Sequence, residues 1–444
     1  MTDLWYRFNV FAERQFFENN NLVDGLIVPA HVIAYYEVSF PQFLKDCSLP
    51  FLVDPVSYVW NIGSRYTSNE NGTLKKSYEK LVEKLDCKVG NLLGRQTISD
   101  AGITKADFEE FVSKVLSFQL SFSGSKKAPR LQSLERLKER IRLVEGLPTQ
   151  TEEKQNPPYA LIPPYFFFDD VTDDAYDKTL YAAQFAQSSN YAKDYKIFPC
   201  LCMNRSLLRN ESQLQKILVD FKGFKGILLW ISGFEEASAP QQELNALTIF
   251  VNQLNLQGSE VVNLYGGYFS LLLKYAGLSK VSAGICYSSS RKVLSEPTGG
   301  GLPVRYYEPT LKIKIMRENM YRLYSDQPKL FNCECPICSE FSKECREVKE
   351  VNNSEKAALL NRFFIQKKSS NTSCAVDLES SRLHFLQCRK TEKEKIENAS
   401  ISAIIRTIEE LYEFLQKNDV DPFRYGFDSY DHLRSWANAL KILQ

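Results

Sequence analysis

The chain has 444 residues, 55 Lys and Arg against 54 Asp and Glu, and 44% hydrophobic residues. That length and balance exclude wholesale disorder and predict either one large domain with an appendage or two domains. The net charge of +1 leaves no global field for a polyanion, so any nucleic-acid surface has to be a local patch.

The opening segment "MTDLWYRFNVFAERQFFENN" carries charges throughout and lacks an apolar leader. The most apolar later runs, "GILLWISGF" and "YFSLLLKYAGL", fall short of a membrane span. The expectation is a cytoplasmic protein with no membrane partner. Its eleven cysteines are then metal ligands or buried side chains rather than disulfides.

In chain order, "GLIVPAHVIAYY" (25–36) and "PFLVD" (50–54) read as strands, being β-branched and apolar runs that end in turn chemistry. From 74 to 145 the period turns helical, with leucines three and four apart among charges. A polar, proline-ended linker, "TQTEEKQNPP", follows at 149–158. Strands are then expected at 159–168, 196–203, 226–232, 260–266 and 281–287, separated by helices at 174–190, 208–220, 239–255 and 267–276. Such alternation means βα units around a parallel sheet covered on both faces. With two or three further strands at the N-terminal end, an α/β fold of the (β/α)8 TIM-barrel type fits best. An open doubly wound sheet is the alternative, but no glycine fingerprint opens its first helix.

After 300 the alternation stops. A loop and a short extended pair lead to a thiol cluster, then polar sequence, a helix at 391–417, and a tail with a turn and a short helix. The expected division is a barrel over 1–320, with a helical insertion near 74–145, and a zinc-binding subdomain with terminal helices over 321–444.

Cys333, Cys335 and Cys338 form C-x-C-x-x-C, with Pro336 helping the turn that converges the sulfurs. Thiols at this spacing are too close to be disulfide partners and suit a soft ion, and tetrahedral zinc needs four ligands. The candidates for the fourth are Cys345, Cys374, His384 and Cys388; ligation by His384 would clip the terminal helix to the loop. No substrate opening is evident, so the metal is read as structural; an iron–sulfur cluster using Cys345 is the alternative. Cys47, Cys87, Cys200, Cys202 and Cys286 lie in apolar contexts and are expected to be buried. His31 and His432 are read as structural.

A barrel followed directly by C-x-C-x-x-C and a histidine leading into a C-terminal helix resembles the tRNA-guanine transglycosylase family. Those enzymes exchange a guanine in a polynucleotide for a 7-deazaguanine base. The resemblance covers most of the chain and implies Cys333, Cys335, Cys338 and His384 as zinc ligands. It places Asp54, in "LPFLVDPVSYVW", at the family's first active-site aspartate, although the usual D-S-G-G-F-Q continuation is replaced. Ser232 and Gly233, in "LLWISGF", correspond to the base-reading loop. Where the family carries its nucleophilic aspartate this chain reads "VSAGICY", with Ser282 or Ala283 in the place. That departure, with "PTGGGLPVRYYEP", looks closer to the divergent branch named DpdA, which puts 7-deazaguanine bases into DNA; related proteins sit in anti-phage operons.

Base exchange passes through an oxocarbenium-like centre that a carboxylate traps or stabilises. Asp54 ends a barrel strand on the side where such folds keep their chemistry, while a turn-initiating Asp-Pro is the bland reading. Asp169 and Asp170 follow a strand end and are candidate base-binding groups, with Asp173 or Asp174 the expected helix cap. Glu235 is another carboxylate candidate. The basic run 124–142 and Arg291, Lys292, Arg305, Tyr306 and Tyr307 are candidates for phosphate pairing and base stacking. A solvated helix face and plain packing compete with those readings. The expected function is base exchange on guanine in nucleic acid, DNA before tRNA. The rival is an inactive relative that binds nucleic acid or a deazapurine-modified partner. The implied partners are DNA or tRNA and a 7-deazaguanine base, with a homodimer one open option.

Overall fold

Eight strands of the computed structural model share one sheet: β1 (Asp3–Arg7), β2 (Gly25–Pro29), β3 (Phe51–Asp54), β4 (Phe167–Phe168), β5 (Cys200–Asn204), β6 (Gly226–Ser232), β7 (Glu260–Asn263) and β8 (Leu278–Ala283). The structure describes residues 2–8, 11–17, 22–62, 66–121, 157–284, 292–293, 305–316 and 374–444, with positions 319, 322–323, 326–327, 333 and 335–338. The basic run 124–142, Cys286, Arg291 and Cys345 lie outside the described residues.

The strand order, β3-β2-β1-β8-β7-β6-β5-β4, is the chain order read cyclically. The pairs β1/β8, β2/β3, β4/β5 and β7/β8 run parallel. This is the succession of a (β/α)8 fold, and it lacks the reversal of order that marks a doubly wound sheet. At the open end of the order, Tyr159 N donates to Phe51 O in β3 at 2.7 Å. Leu161 bridges Ile197 in parallel, so the segment before β4 lies between β3 and the approach to β5.

The helices following the first three strands are α1 (Ala30–Tyr35), α2 (Ser39–Cys47), α3 (Lys76–Leu85) and α4 (Lys105–Leu120). The longer helices after β4 are α5 (Asp174–Ser188), α6 (Glu211–Asp220) and α7 (Gln241–Leu256), with a short α8 (Tyr268–Leu272), each matching a stretch expected to be helical to within a residue or lying inside it. A hairpin, β9 (Arg305–Glu308) and β10 (Ile313–Met316), precedes α9 (Cys374–Glu397), α10 (Ile401–Lys417) and α11 (Asp431–Lys441). No helix among the described residues is long and apolar enough to cross a membrane.

Contacts divide the chain into two compact units, Arg7–Met203 with Val219–Leu229, and Met1–Tyr6 with Asn204–Leu218 and Trp230–Gln444. In the first unit, β2 and β3 are buried along their whole length and pair from Leu26/Phe51 to Pro29/Asp54. The strand expected over 25–36 stops at Pro29, which has no N–H to continue a ladder. Ala30, Val32, Ile33 and Ala34 then bury one face of α1. The strand expected over 159–168 shrinks to β4 because Pro163 and Pro164 remove two donors. α4 opens on a capping box: Asp107 N donates to Thr104 Oγ1 at 3.2 Å, and Thr104 N donates to the Asp107 carboxylate at 2.9 Å. Gly226 starts β6 because a Cβ there would stand 2.2 Å from the Phe198 ring.

In the second unit, β1 and β8 pair from Asp3/Lys280 to Tyr6/Ala283. Lys280 is buried in β8 and neutralised by Glu260 and, at 3.3 Å, Asp3. The single helix expected over 391–417 is two helices. α9 begins well before His384 and ends at Glu397, and Ser400 caps α10 by accepting from Ala403 N at 3.2 Å. α11 packs on α7 and α10, and Trp436 Nε1 donates to the Glu236 carbonyl at 3.0 Å.

Candidate metal centre

Two short-range devices assemble the thiols. Residues 336–338 form a helical turn, and its last N–H, from Cys338, points at Cys335 Sγ at 3.4 Å. On α9, His384 and Cys388 stand one turn apart and therefore share a face. The donor atoms of Cys333, Cys335, His384 and Cys388 all lie within 4.8 Å of one another. From His384 Nδ1, the sulfurs of Cys333, Cys335, Cys338 and Cys388 stand at 3.9, 3.3, 3.4 and 3.6 Å. A tetrahedral ion with metal–sulfur bonds of about 2.3 Å and metal–nitrogen bonds of about 2.0 Å has S···N edges of about 3.5 Å.

The imidazole is oriented for ligation. Its Nε2 meets the Tyr307 carbonyl of β9 at 2.8 Å. That bond needs the proton on Nε2 and turns the Nδ1 lone pair toward the sulfurs, the usual arrangement behind a ligating histidine. The Tyr306 ring stacks on the imidazole at 4.2 Å. Burial pulls the His384 pKa down, but the Cys333 and Cys335 sulfurs outweigh it and push it up to about 10.

Behind the ligands, α9 carries a buried charge network. Glu392 accepts from the Tyr307 hydroxyl at 2.9 Å, from Lys312 Nζ at 3.0 Å and from Arg389 Nη1 at 3.3 Å. Arg389 also donates to the Gly267 carbonyl. Gly267 N and Phe269 N each donate to Glu236 at 2.8 Å, and Ser270 N at 3.1 Å. Burial raises the Glu236 pKa against the pull of these donors and of Arg389. Tyr306 and Tyr307, candidates for base stacking, are therefore built into the metal centre. Glu236, rather than its exposed neighbour Glu235, is the engaged carboxylate.

Asp54 sits where the sequence puts it, at the end of β3, and is 1% exposed. It forms an ion pair with Arg7. Tyr165 donates its hydroxyl to Oδ1 at 2.7 Å, and Val56 N donates to the same oxygen at 2.9 Å. Burial alone would raise its pKa; Arg7, Tyr165 and Val56 outweigh burial and hold it below the usual carboxylate range. Val56 occupies the left-handed region at φ 54°, a costly conformation for a β-branched residue, and the Asp54 carboxylate holds its amide there. Ser57 Oγ fixes the other side of this turn, accepting from Tyr165 N at 2.7 Å and donating to Tyr165 O at 2.8 Å.

The remaining candidates have local duties. Asp169 and Asp170 offer their amides to Asp173 Oδ2 at 2.8 and 3.0 Å, and Asp170 Oδ1 accepts from Thr172 N at 2.9 Å. Asp173 is the N-cap residue of α5, but its carboxylate turns back to the preceding loop rather than into the helix. Ser232 Oγ accepts from Val293 N at 3.0 Å. Gly233 takes φ 72°, and a Cβ there would lie 3.1 Å from Lys292. Ser282 is fully buried in β8, and its Oγ is one of the buried polar atoms without a hydrogen-bond partner among the described residues.

Of the other cysteines, Cys87, Cys200 and Cys202 are buried as expected, while Cys47 is half-buried. His432 is buried with Nε2 2.9 Å from Leu311 O, and His31 stacks on Tyr78 at 4.5 Å.

Sequence reasoning missed Arg7 and the Arg389–Glu392–Glu236 network, and it left Cys388 as one candidate among several. A lone arginine inside the apolar "LWYRF" run is the available signal for the first, because a buried charge requires a counter-ion. The i, i+4 spacing of His384 and Cys388 is the signal for the last. No family model matches the chain, and no curated protein matches it in sequence.

Proposed function

We propose that the chain is a zinc-bearing (β/α)8 protein of transglycosylase type that binds nucleic acid or a 7-deazaguanine-modified partner, in the cytoplasm, without exchanging bases. The Cys/His cluster supports the metal: sulfurs joined by one imidazole make a soft donor set that suits tetrahedral zinc. Cys333, Cys335 and His384 would hold it with one further thiol. A bound zinc there supplies folding free energy by tying α9 to the cysteine turn.

The observation that carries the functional choice is the state of Asp54. Base exchange needs a carboxylate free to face a developing cation, and a second group to move the proton of the departing base. Asp54 already spends its charge on Arg7 and its lone pairs on Tyr165 and Val56. The place of the family's nucleophile holds buried Ser282 and Ala283. Exchange of guanine for a 7-deazaguanine base, in DNA before tRNA, is the second reading, favoured by the position of Asp54 at the end of β3. It requires substrate to draw Asp54 away from Arg7.

The test incubates the purified chain with duplex DNA or tRNA and a free 7-deazaguanine base, then analyses the nucleosides by mass. Binding is measured in parallel across salt concentration. Salt-dependent binding with no incorporated base supports the proposal. Incorporation of the deazaguanine base overturns it in favour of the enzyme. Absence of both binding and exchange sinks both readings.

A further inference from the structure

We infer that Arg205 and Arg209, held by Glu243, form the contact for one phosphodiester of the bound nucleic acid. The inference rests on the nucleic-acid reading above and names residues that take the backbone. Arg205 and Arg209 bound the 3-10 turn that follows β5, and Gly233 follows the last residue of β6. The carboxyl ends of the strands are the face on which a (β/α)8 fold receives its ligands. Glu243, in the first turn of α7, is fully buried, whereas the side chains of Arg205 and Arg209 are 33% and 55% exposed. Arg205 donates to Glu243 Oε2 from Nη2 at 2.8 Å and from Nε at 3.2 Å. Arg209 donates from Nε to Oε1 at 2.7 Å, and its Nη2 stands 2.6 Å from the same oxygen.

One guanidinium is enough to neutralise a buried carboxylate, so the second leaves the trio with a surplus positive charge. Both arginines meet Glu243 through the same edge, Nε and Nη2. Arg205 Nη1 reaches the Gly233 carbonyl only at 3.4 Å, and Arg209 Nη1 has no hydrogen-bond partner among the described residues. A guanidinium carries five N–H donors in a planar fork, so one edge can serve Glu243 while the rest serves a phosphate. Glu243 fixes both forks before the ligand arrives, and little rotamer freedom is then lost on binding. Exposed Lys292 brings a further cation to Gly233, its Cε 3.5 Å from the point where a Gly233 Cβ would stand.

Binding of duplex DNA and of tRNA is measured against salt for wild type, Arg209→Gln, Glu243→Gln and Arg406→Gln. Arg406 lies on α10 with its side chain 75% exposed and controls for a change of one charge elsewhere. Arg209→Gln should lower the slope of log affinity against log salt by about one. At low salt it should weaken binding about tenfold, as expected for a lost hydrogen bond to a charged group. Arg406→Gln should leave both quantities at the wild-type values. Glu243→Gln adds a positive charge but releases the two forks, so it should bind no tighter than wild type. If Arg209→Gln fails to fold, arginine modification of the wild-type chain by a dicarbonyl reagent, read by peptide mass analysis, decides. Nucleic acid should then protect Arg205 and Arg209 and leave Arg406 reactive. An unchanged slope in Arg209→Gln, an equal fall in Arg406→Gln, tighter binding by Glu243→Gln, or no protection of Arg209 overturns the assignment while the nucleic-acid reading stands. Absence of salt-dependent binding by the wild-type chain would instead sink the nucleic-acid reading, and this site with it.

Discussion

Asp54→Asn separates a catalytic aspartate from a structural one. Asparagine keeps the size of the side chain, and its Oδ1 can still accept from Tyr165 and from the strained Val56 amide. What it loses is the charge opposite Arg7, whose side chain is 2% exposed against 1% for Asp54. Breaking a buried pair by removing one partner costs about 3–5 kcal/mol, because the other charge is left uncompensated. For a cooperative unit with an m-value of about 3 kcal/mol/M in urea, that lowers the unfolding midpoint by about 1 M or more. The assay is urea unfolding at pH 7, followed by circular dichroism and tryptophan fluorescence. A midpoint within about 0.2 M of wild type would refute the reasoning and return Asp54 to the list of free carboxylates. The pH dependence carries a definite sign. Because the folded pKa is depressed, the pair contributes fully above about pH 4, the unfolded carboxylate's value. The contribution is lost as pH falls through the lower folded value.

Three further outcomes follow from the geometry. Cys335→Ser should lose both metal and solubility, and chelating the wild-type chain should open the α9 amides to hydrogen exchange until zinc is restored; unchanged protection without metal would contradict this. Tyr307→Phe keeps the edge contact with Phe385 at 5.3 Å but strips a donor from Glu392. It should cost about 1–3 kcal/mol in denaturant unfolding with zinc content unchanged, since His384 leans on the Tyr307 carbonyl and not on its hydroxyl. Gly226→Ala drives a methyl to 2.2 Å from the Phe198 ring and should cost about 1–3 kcal/mol as overpacking, a loss that Phe198→Leu in the same chain should partly relieve.

The fold was legible where local pattern and burial agree. "GILLWIS" is buried almost throughout and forms β6 at the expected residues, and the βα interval led to the cyclic strand order. Legibility failed where one residue vetoes a run of apolar neighbours. Pro29 ends β2, Pro163 and Pro164 leave two residues of β4, and Ser400 splits the terminal helix. The metal cluster was legible because chelation demands short spacing, and three of its thiols fall within six residues. The position of Asp54 was legible, but its electrostatic state was not. Its partners lie 47 and 111 residues away in the chain, and one sequence does not show which distant charges the fold brings together.

A buried ion pair at a strand end is weak evidence of stability, since apolar residues of similar volume commonly serve as well or better. Its value here lies in register. Phe8 N donates to Ile27 O at 3.0 Å, which sets Arg7 beside β2, and Pro29 pairs with Asp54 across β2 and β3. A slip of one residue would turn Arg7 to the opposite face of the sheet and break its ion pair with buried Asp54. The pair therefore penalises wrong registers far more than it stabilises the right one. Arg7→Met with Asp54→Leu should recover most of the stability that Asp54→Asn loses, with a coupling above about 1 kcal/mol in the double-mutant cycle. The recovered chain should nonetheless show weaker amide protection along β2 and β3 than wild type. Equal protection would mean that the pair does not set register. The aspartate's place at the mouth of a strand would then need a chemical explanation, which is the base-exchange reading.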